Sequence, residues 1–351
     1  MGDRQGAVAH VDRGMTVDQR RGSASWFKHL AGAGITVLCL IVFIRQVNVS
    51  DLLGALAHFH WAYLVAGIAS LAVGYALRVV RWSMMLRATG ASATFRDCCA
   101  PFLGSIALNN VLPLRLGDVV RALVFPRSMG ITKTTATSSL IVERLVDLMT
   151  LLASLAIGLF AIRAIAIPEA LKASAVSLAI IGGVVLALGF CFSGALGRLF
   201  DRLSRRALEQ GAGKRAAVCA TMAGLLHGFD AMSRPRLLLS MLAVSMLVWV
   251  GEAGLFYFVL LGAGVEGSPL VALLVMAVAT LSTLVPSSPG YVGPFHLAAF
   301  TAISLVGGTA AQAGSYAVIV HLALWLPTTL AGAFAIWARP ELFRAAKSQA
   351  A

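Results

Sequence analysis

From residue 267 to residue 338 the chain runs for 72 residues without an aspartate, glutamate, lysine or arginine. At about 1.5 Å per helical residue, such a run supplies three membrane segments with their turns. The rest of the chain agrees: of 351 residues, 59% are hydrophobic and 12% charged, with a mean hydropathy of +0.85. A soluble domain carries roughly a quarter charged residues, so a water-soluble enzyme and a disordered chain are both excluded. The apolar runs are long and uninterrupted rather than alternating ten-residue segments, which predicts helices and not an outer-membrane barrel.

Further charge-free stretches lie at 29–44, 52–77, 98–114, 148–162, 173–197 and 237–251. The stretches 52–77 and 173–197 are long enough to span, and 148–162 becomes so if its helix starts near Ser139. Under this layout, five Lys and Arg residues fall before residue 29, nine in 78–144, eight in 194–236 and three after residue 338. The opposite side keeps Arg45, Arg163 and Lys172. Twenty-five against three places both termini in the cytoplasm. Residues 1–28 are expected to be a disordered cytoplasmic tail, 29–338 a single transmembrane domain with a basic cytoplasmic loop at 194–236, and 339–351 a second tail. Within that loop, the apolar stretch 216–229 is too short to span and reads either as an interfacial helix on the anionic inner leaflet or as a plain positive-inside loop.

Two segments break the pattern. PFLGSIALNNVLPLRLGDVVRALVFP (101–126) sits between two stretches that both belong on the cytoplasmic side. A re-entrant hairpin turning between Asn109 and Gly117 resolves the parity, with Pro113 and Gly117 as the breaks. LSTLVPSSPGYVGPFHLAAF (281–300) repeats the device with Pro286, Pro289, Gly290 and Gly293, and no basic residue marks its tip as cytoplasmic. The expected fold is therefore an all-α, polytopic integral membrane protein with two re-entrant, broken-helix hairpins in an inverted-repeat-like arrangement. Paired breaks of this kind point to a transporter's substrate site.

Charged residues inside apolar segments each cost about 2.5–3.5 kcal/mol at a helix centre, so they are expected to be paired or functional. Asp118 and Arg121, and Arg144 and Asp147, are spaced three apart and can meet on one helix face. Asp118 also follows Gly117 at a helix start, where a carboxylate caps free N–H groups. Glu143 and Glu252 complete the expected charge partners. Arg78 and Arg81 have no acid near them in sequence and Arg115 none beyond the Asp118 assigned to Arg121, and a guanidinium fork suits a phosphate. With Asn109, Asn110, Arg121 and His296, which follows the second break, they form the expected headgroup-binding set. Cys39, Cys98, Cys99, Cys191 and Cys219 show no metal or redox spacing. No metal, cofactor, nucleotide-binding loop or nucleic-acid partner is expected, and no catalytic residue is assigned.

RVVRWSMML (78–86), NNVLPLRLGDVVRA (109–122), ERLVD (143–147) and PSSPGYVG (286–293), in this order, resemble the lysylphosphatidylglycerol synthase transmembrane region, or flippase-like domain, family over roughly 30–338. The resemblance covers Arg81, Trp82, Asn109, Pro113, Gly117, Asp118, Arg121, Glu143, Arg144 and Asp147, then Pro286, Pro289, Gly290 and Gly293. It departs at Tyr291, where the family's PGGxGxxE-like form has glycine, and at His296, which stands where the acid would be. The resemblance implies a bacterial-type inner-membrane protein that moves a lipid headgroup between leaflets. Only about a dozen polar residues follow Ala338, without the aminoacyl-transferring domain of the full-length synthases, so the chain is not expected to aminoacylate lipid. An intramembrane transferase or hydrolase on a polyprenyl-phosphate, and a non-catalytic partner of a lipid-biosynthetic enzyme, are the alternatives.

Overall fold

The structure, a computed structural model, describes residues 33–161 and 169–342. The expected N-terminal tail and most of the C-terminal one lie outside these residues. Among the described residues every regular element is helical, and no strand occurs. In chain order the helices are α1 (Ala33–Gln46), α2 (Val49–Ala57), α3 (Trp61–Ala88), α4 (Phe95–Val111), α5 (Leu116–Leu123), α6 (Phe125–Ser128), α7 (Lys133–Ala161), α8 (Glu169–Glu209), α9 (Gly213–Met232), α10 (Pro235–Gly262), α11 (Pro269–Ser282), α12 (Pro294–Leu305) and α13 (Ala310–Ala338). Four of them (α3, α8, α10 and α13) are long and apolar enough to cross a membrane. The protein is an all-α, multi-pass membrane protein.

Its exterior follows from that solvent. Along α8, Ile180, Ile181 and Val185 are each about 60% exposed, a stripe that water would penalise and lipid tails do not. Inside, packing relies on small residues. Where α3 crosses α10, a Cβ on Gly251 would stand 2.8 Å from the Gly74 Cα, and the Ser70 hydroxyl donates to the Gly251 carbonyl at 2.9 Å. Close backbone approach of this kind is how helices associate without a hydrophobic drive between them. A core of Phe256, Val259, Phe295, Ala299, Tyr316 and Val320 joins α10, α12 and α13.

Three sequence boundaries shift. The stretch 52–77 is not one span: it divides at His58–His60, where the His58 ring Nδ1–H and backbone N–H both donate to the Gly54 carbonyl and close α2, and α3 starts afresh at Trp61. Helix α7 begins at Lys133 rather than near Ser139, which moves Glu143, Arg144 and Asp147 from its first turns to its middle. The segment 194–236 is a helical hairpin rather than a loop: α8 continues to Glu209 and α9 folds back against it, with Ser204 Oγ donating to the Ala216 carbonyl and His227 Nε2 meeting Asp201 Oδ2 at 2.8 Å.

Both broken segments fold back on themselves. Helix α4 starts on a Thr94/Asp97 capping box and ends at Val111. The chain then reverses through Pro113–Arg115, where Leu114 and Arg115 have φ of 58° and 53°, and α5 returns along α4. The return is possible because Gly117 lies on Ser105 and Asn109; a Cβ there would run into the Ser105 carbonyl oxygen. In the second segment, α11 and α12 have 14 and 12 residues, about 21 and 18 Å, short of the ~30 Å hydrocarbon core. Pro269 and Pro294 open these helices at positions where a missing N–H is harmless.

Candidate functional site

The interior charges form one set of cross-helix pairs. Helix α3 supplies Arg78 and Arg81, α5 Asp118 and Arg121, α7 Glu143, Arg144 and Asp147, and α10 Glu252. Arg78 reaches Glu252 at 2.5 Å and Asp147 at 3.5 Å. Fully buried Arg81 grips Asp147 through two nitrogens, at 2.7 and 3.1 Å, and also donates to Ser245 Oγ at 2.9 Å. Arg121 pairs with Glu143 at 2.7 Å and lies against the Trp82 and Phe102 rings. Arg144 pairs with Asp118 at 2.8 Å, and the Asn109 amide donates to the same carboxylate at 2.9 Å.

These partners replace the pairs that spacing suggested. Asp118 meets Arg144 rather than Arg121, and Asp147 meets Arg81 and Arg78 rather than Arg144, because α5 and α3 pack on α7 and turn those side chains across the interfaces. The Asp118 backbone N–H is itself taken by Asn109 Oδ1 at 3.0 Å, so the side chain pair Asn109–Asp118 staples α4 to α5. Four arginines balance four carboxylates. Arg78, Arg81 and Arg121 thus occupy the charge-paired interior, and Asn109 belongs to the staple.

Arg115 stands apart. Among these arginines it alone has no carboxylate partner among the described residues. Its Nη2 donates to Thr283 Oγ1 at 3.1 Å across the gap to the other hairpin, and its guanidinium lies 5.5 Å from the Tyr291 ring centre. The two tips therefore touch. Each is also strained: Leu114 and Arg115 in the first and Tyr291 in the second are non-glycine residues at positive φ, a left-handed conformation costing about 1–2 kcal/mol per residue. Strain of this sort concentrates at functional sites.

Two cavities adjoin the tips. The tip cavity, about 200 Å³, lies between Leu112–Arg115 and Leu284–Tyr291. A second, about 140 Å³, reaches from Gly290 and Tyr291 to Tyr75, Glu252, Asn110 and α13. Helix α13 holds both tips. Trp325 Nε1 donates to the Asn110 carbonyl at 3.2 Å, the Asn110 amide donates to Thr328 and Thr329, and His321 Nε2 donates to the Gly290 carbonyl at 2.7 Å. His296 faces inward instead, its ring 4.5 Å from that of His321. Pro286 and Pro289 line the tip cavity, and Gly293, at φ 97°, lets the backbone pass close to Thr36.

Sequence reasoning overlooked Tyr75, Thr280, Thr283, Trp325 and Thr328. A signal existed: Thr280/Thr283 and Trp325/Thr328 are hydrogen-bonding pairs three apart inside a charge-free block, and so share a helix face. Among the described residues, no group of three or more His, Cys, Asp and Glu is placed to hold a metal ion.

Comparison with known proteins gives a consistent picture. The family described as the lysylphosphatidylglycerol synthase TM region matches residues 29–332. Glycosyltransferase AglD of Haloferax volcanii is 27% identical over 325 aligned positions, covering 83% of this chain and 51% of that protein. The chain thus spans about half the length of this relative. No solved structure matches it. The family ties the chain to membrane-lipid biochemistry. With its motifs at the two tips and in the charge network between them, the chain belongs to the lysylphosphatidylglycerol synthase TM-region family.

Proposed function

We propose that the protein moves a phosphate-bearing lipid headgroup between the leaflets of the cytoplasmic membrane, with both termini cytoplasmic and the two broken hairpins re-entrant from opposite faces. The observation that carries this reading is Arg115: a guanidinium with no carboxylate partner among the described residues, placed between two strained tips beside a cavity. Its bond to Thr283 bridges the tips. A phosphate competes for that same fork, so headgroup binding and tip separation are coupled, while the acyl or prenyl chains remain in lipid. Arg78, Arg81 and Arg121 act one step back, as counter-ions that hold α3, α5, α7 and α10 in register.

The test is transbilayer movement of a fluorescent phosphatidylglycerol in proteoliposomes, read by quenching of the outer leaflet. Arg115→Lys keeps the charge and loses the planar fork, and should slow movement about tenfold with the melting temperature unchanged; Arg115→Gln should abolish it. Wild-type rates in both variants would sink the phosphate role. Re-entrance has its own test in a cysteine-free background. Ser288→Cys should label poorly, and Arg205→Cys fast, with a membrane-impermeant thiol reagent added from the cytoplasmic side.

A glycosyl transfer to a polyprenyl-phosphate is the second reading, favoured by the similarity to glycosyltransferase AglD. It needs a carboxylate base, and Asp118, Glu143, Asp147 and Glu252 are each already held by an arginine. Covalent product from a radiolabelled sugar donor, without flopping, would select it.

A further inference from the structure

The second cavity has a chemistry of its own. Its polar lining holds no lysine or arginine: Thr280, Thr283, Thr328 and Asn110 supply hydroxyls and an amide, His321 is committed through Nε2 to the Gly290 carbonyl, and the aromatic walls include Tyr75 and Trp325. The single carboxylate, Glu252, is already neutralised by Arg78 at 2.5 Å. A cationic headgroup therefore finds no spare carboxylate there, and a second anion no spare cation. The buried Thr280 hydroxyl has no hydrogen-bond partner in the protein, an orphan that a native interior rarely keeps without a purpose. The cavity, about 140 Å³, has room for several water molecules and so for a small hydroxylated group. It joins the tip cavity through Gly290 and Tyr291, which line both.

We infer that this threonine- and aromatic-lined cavity is a binding site for a neutral, polyhydroxylated group, so that the lipid handled here carries a sugar or cyclitol beyond its phosphate. This rests on the proposed phosphate site at Arg115 for its geometry: phosphate between the tips, hydroxylated ring against Thr280 and Trp325. The ring's hydroxyls supply the partner that the Thr280 side chain lacks. They also complete a polar wall that an unsubstituted phosphate or an ethanolamine leaves unmatched, and a site built around hydroxyls discriminates against ligands without them.

The experiment measures dissociation constants of dioctanoyl phosphatidylinositol, phosphatidic acid and phosphatidylethanolamine for the full chain in detergent, by native mass spectrometry. Phosphatidylinositol should bind about tenfold tighter than the other two. Thr280→Val breaks no bond within the protein, so its melting temperature should hold while the phosphatidylinositol preference falls about fivefold, the worth of one hydrogen bond. Trp325→Phe, which also removes the Nε1 donor to the Asn110 carbonyl, should lower the preference as well. Equal binding of phosphatidylinositol and phosphatidic acid to the wild type, or a preference that survives both variants, would overturn the inference. Arg115→Gln separates the two claims. If it leaves all three lipids bound as before, the phosphate reading fails, while a preference still erased by Thr280→Val keeps the polyol site.

Discussion

The two hairpin tips do the same geometric job by opposite means. The first, around Pro113–Gly117, is wired by charge: Asp118 to Arg144 and Asn109, Arg121 to Glu143, all reaching other helices. The second, around Pro286–Gly293, contains no charged residue and is held by neutral bonds, His321 to the Gly290 carbonyl at 2.7 Å and the Ser288 N–H to Thr36 Oγ1 at 2.9 Å. A tip held by buried ion pairs tolerates little displacement, since separating partners strands a charge in a low dielectric. A tip held by single neutral hydrogen bonds gives way far more cheaply. Under the proposed headgroup movement, the first hairpin is therefore the jaw expected to stay fixed and the second the one expected to move.

The sharpest way to break this contrast is to unpair the fixed jaw. Arg121→Met leaves Glu143 buried without a cation and should cost about 3–5 kcal/mol, seen as loss of folded protein in detergent. Arg121→Met with Glu143→Leu should recover most of it; equal losses in the single and double variants would mean the pair is not what holds α5 to α7. Next in size, Gly117→Ala drives a methyl into the Ser105 carbonyl and should destabilise by about 3 kcal/mol. A melting curve like the wild type's would show that α5 does not lie on α4.

Effects at the second tip should be smaller. His321→Leu strands the Gly290 carbonyl and should cost about 1–3 kcal/mol, while making Ser288→Cys more accessible to thiol reagents. Unchanged labelling there would remove the moving-jaw distinction. Smallest of all, Arg115→Lys should shift stability by less than about 0.5 kcal/mol, because its contacts are one hydroxyl and one ring face. Its effect belongs to lipid movement, and a large stability loss would make Arg115 a structural clasp.

The sequence made the breaks legible and the wiring illegible, for one physical reason. Pro113, Pro286 and Pro289 act on their own backbone, so their effect is local and shows in the order of residues. The partners of Arg78 and Arg81 lie 66 to 174 residues away, and no periodicity on α3 reveals which carboxylate will face it. Reading Asp118 with Arg121 followed the nearest acid and base; packing of α5 on α7 chose differently. Tip residues that a motif marks, such as Pro289 and Gly290, were visible, whereas Thr280 and Thr283 look like ordinary helix residues until Arg115 arrives opposite. The boundary at His58–His60 was hidden because a turn built from histidine, phenylalanine and a side-chain cap interrupts no apolar run.

The long reach of the Arg78–Glu252 pair has a consequence for how the protein is made. Helix α3 leaves the ribosome with Arg78 and Arg81 in its buried stretch and no counter-ion for either. Asp147 emerges 66 residues after Arg81, and Glu252 emerges 174 residues after Arg78. At about 5–20 residues per second, the second wait is roughly 9–35 s. Through that interval Arg78 and Arg81 are first unmatched and then half matched, with a penalty of about 2.5–3.5 kcal/mol for each arginine drawn to mid-membrane. A nascent chain arrested after α9 would hold Asp147 but lack Glu252, one negative charge short, and α10, whose Gly251 closes on Gly74, is the segment whose arrival completes the partners of α3.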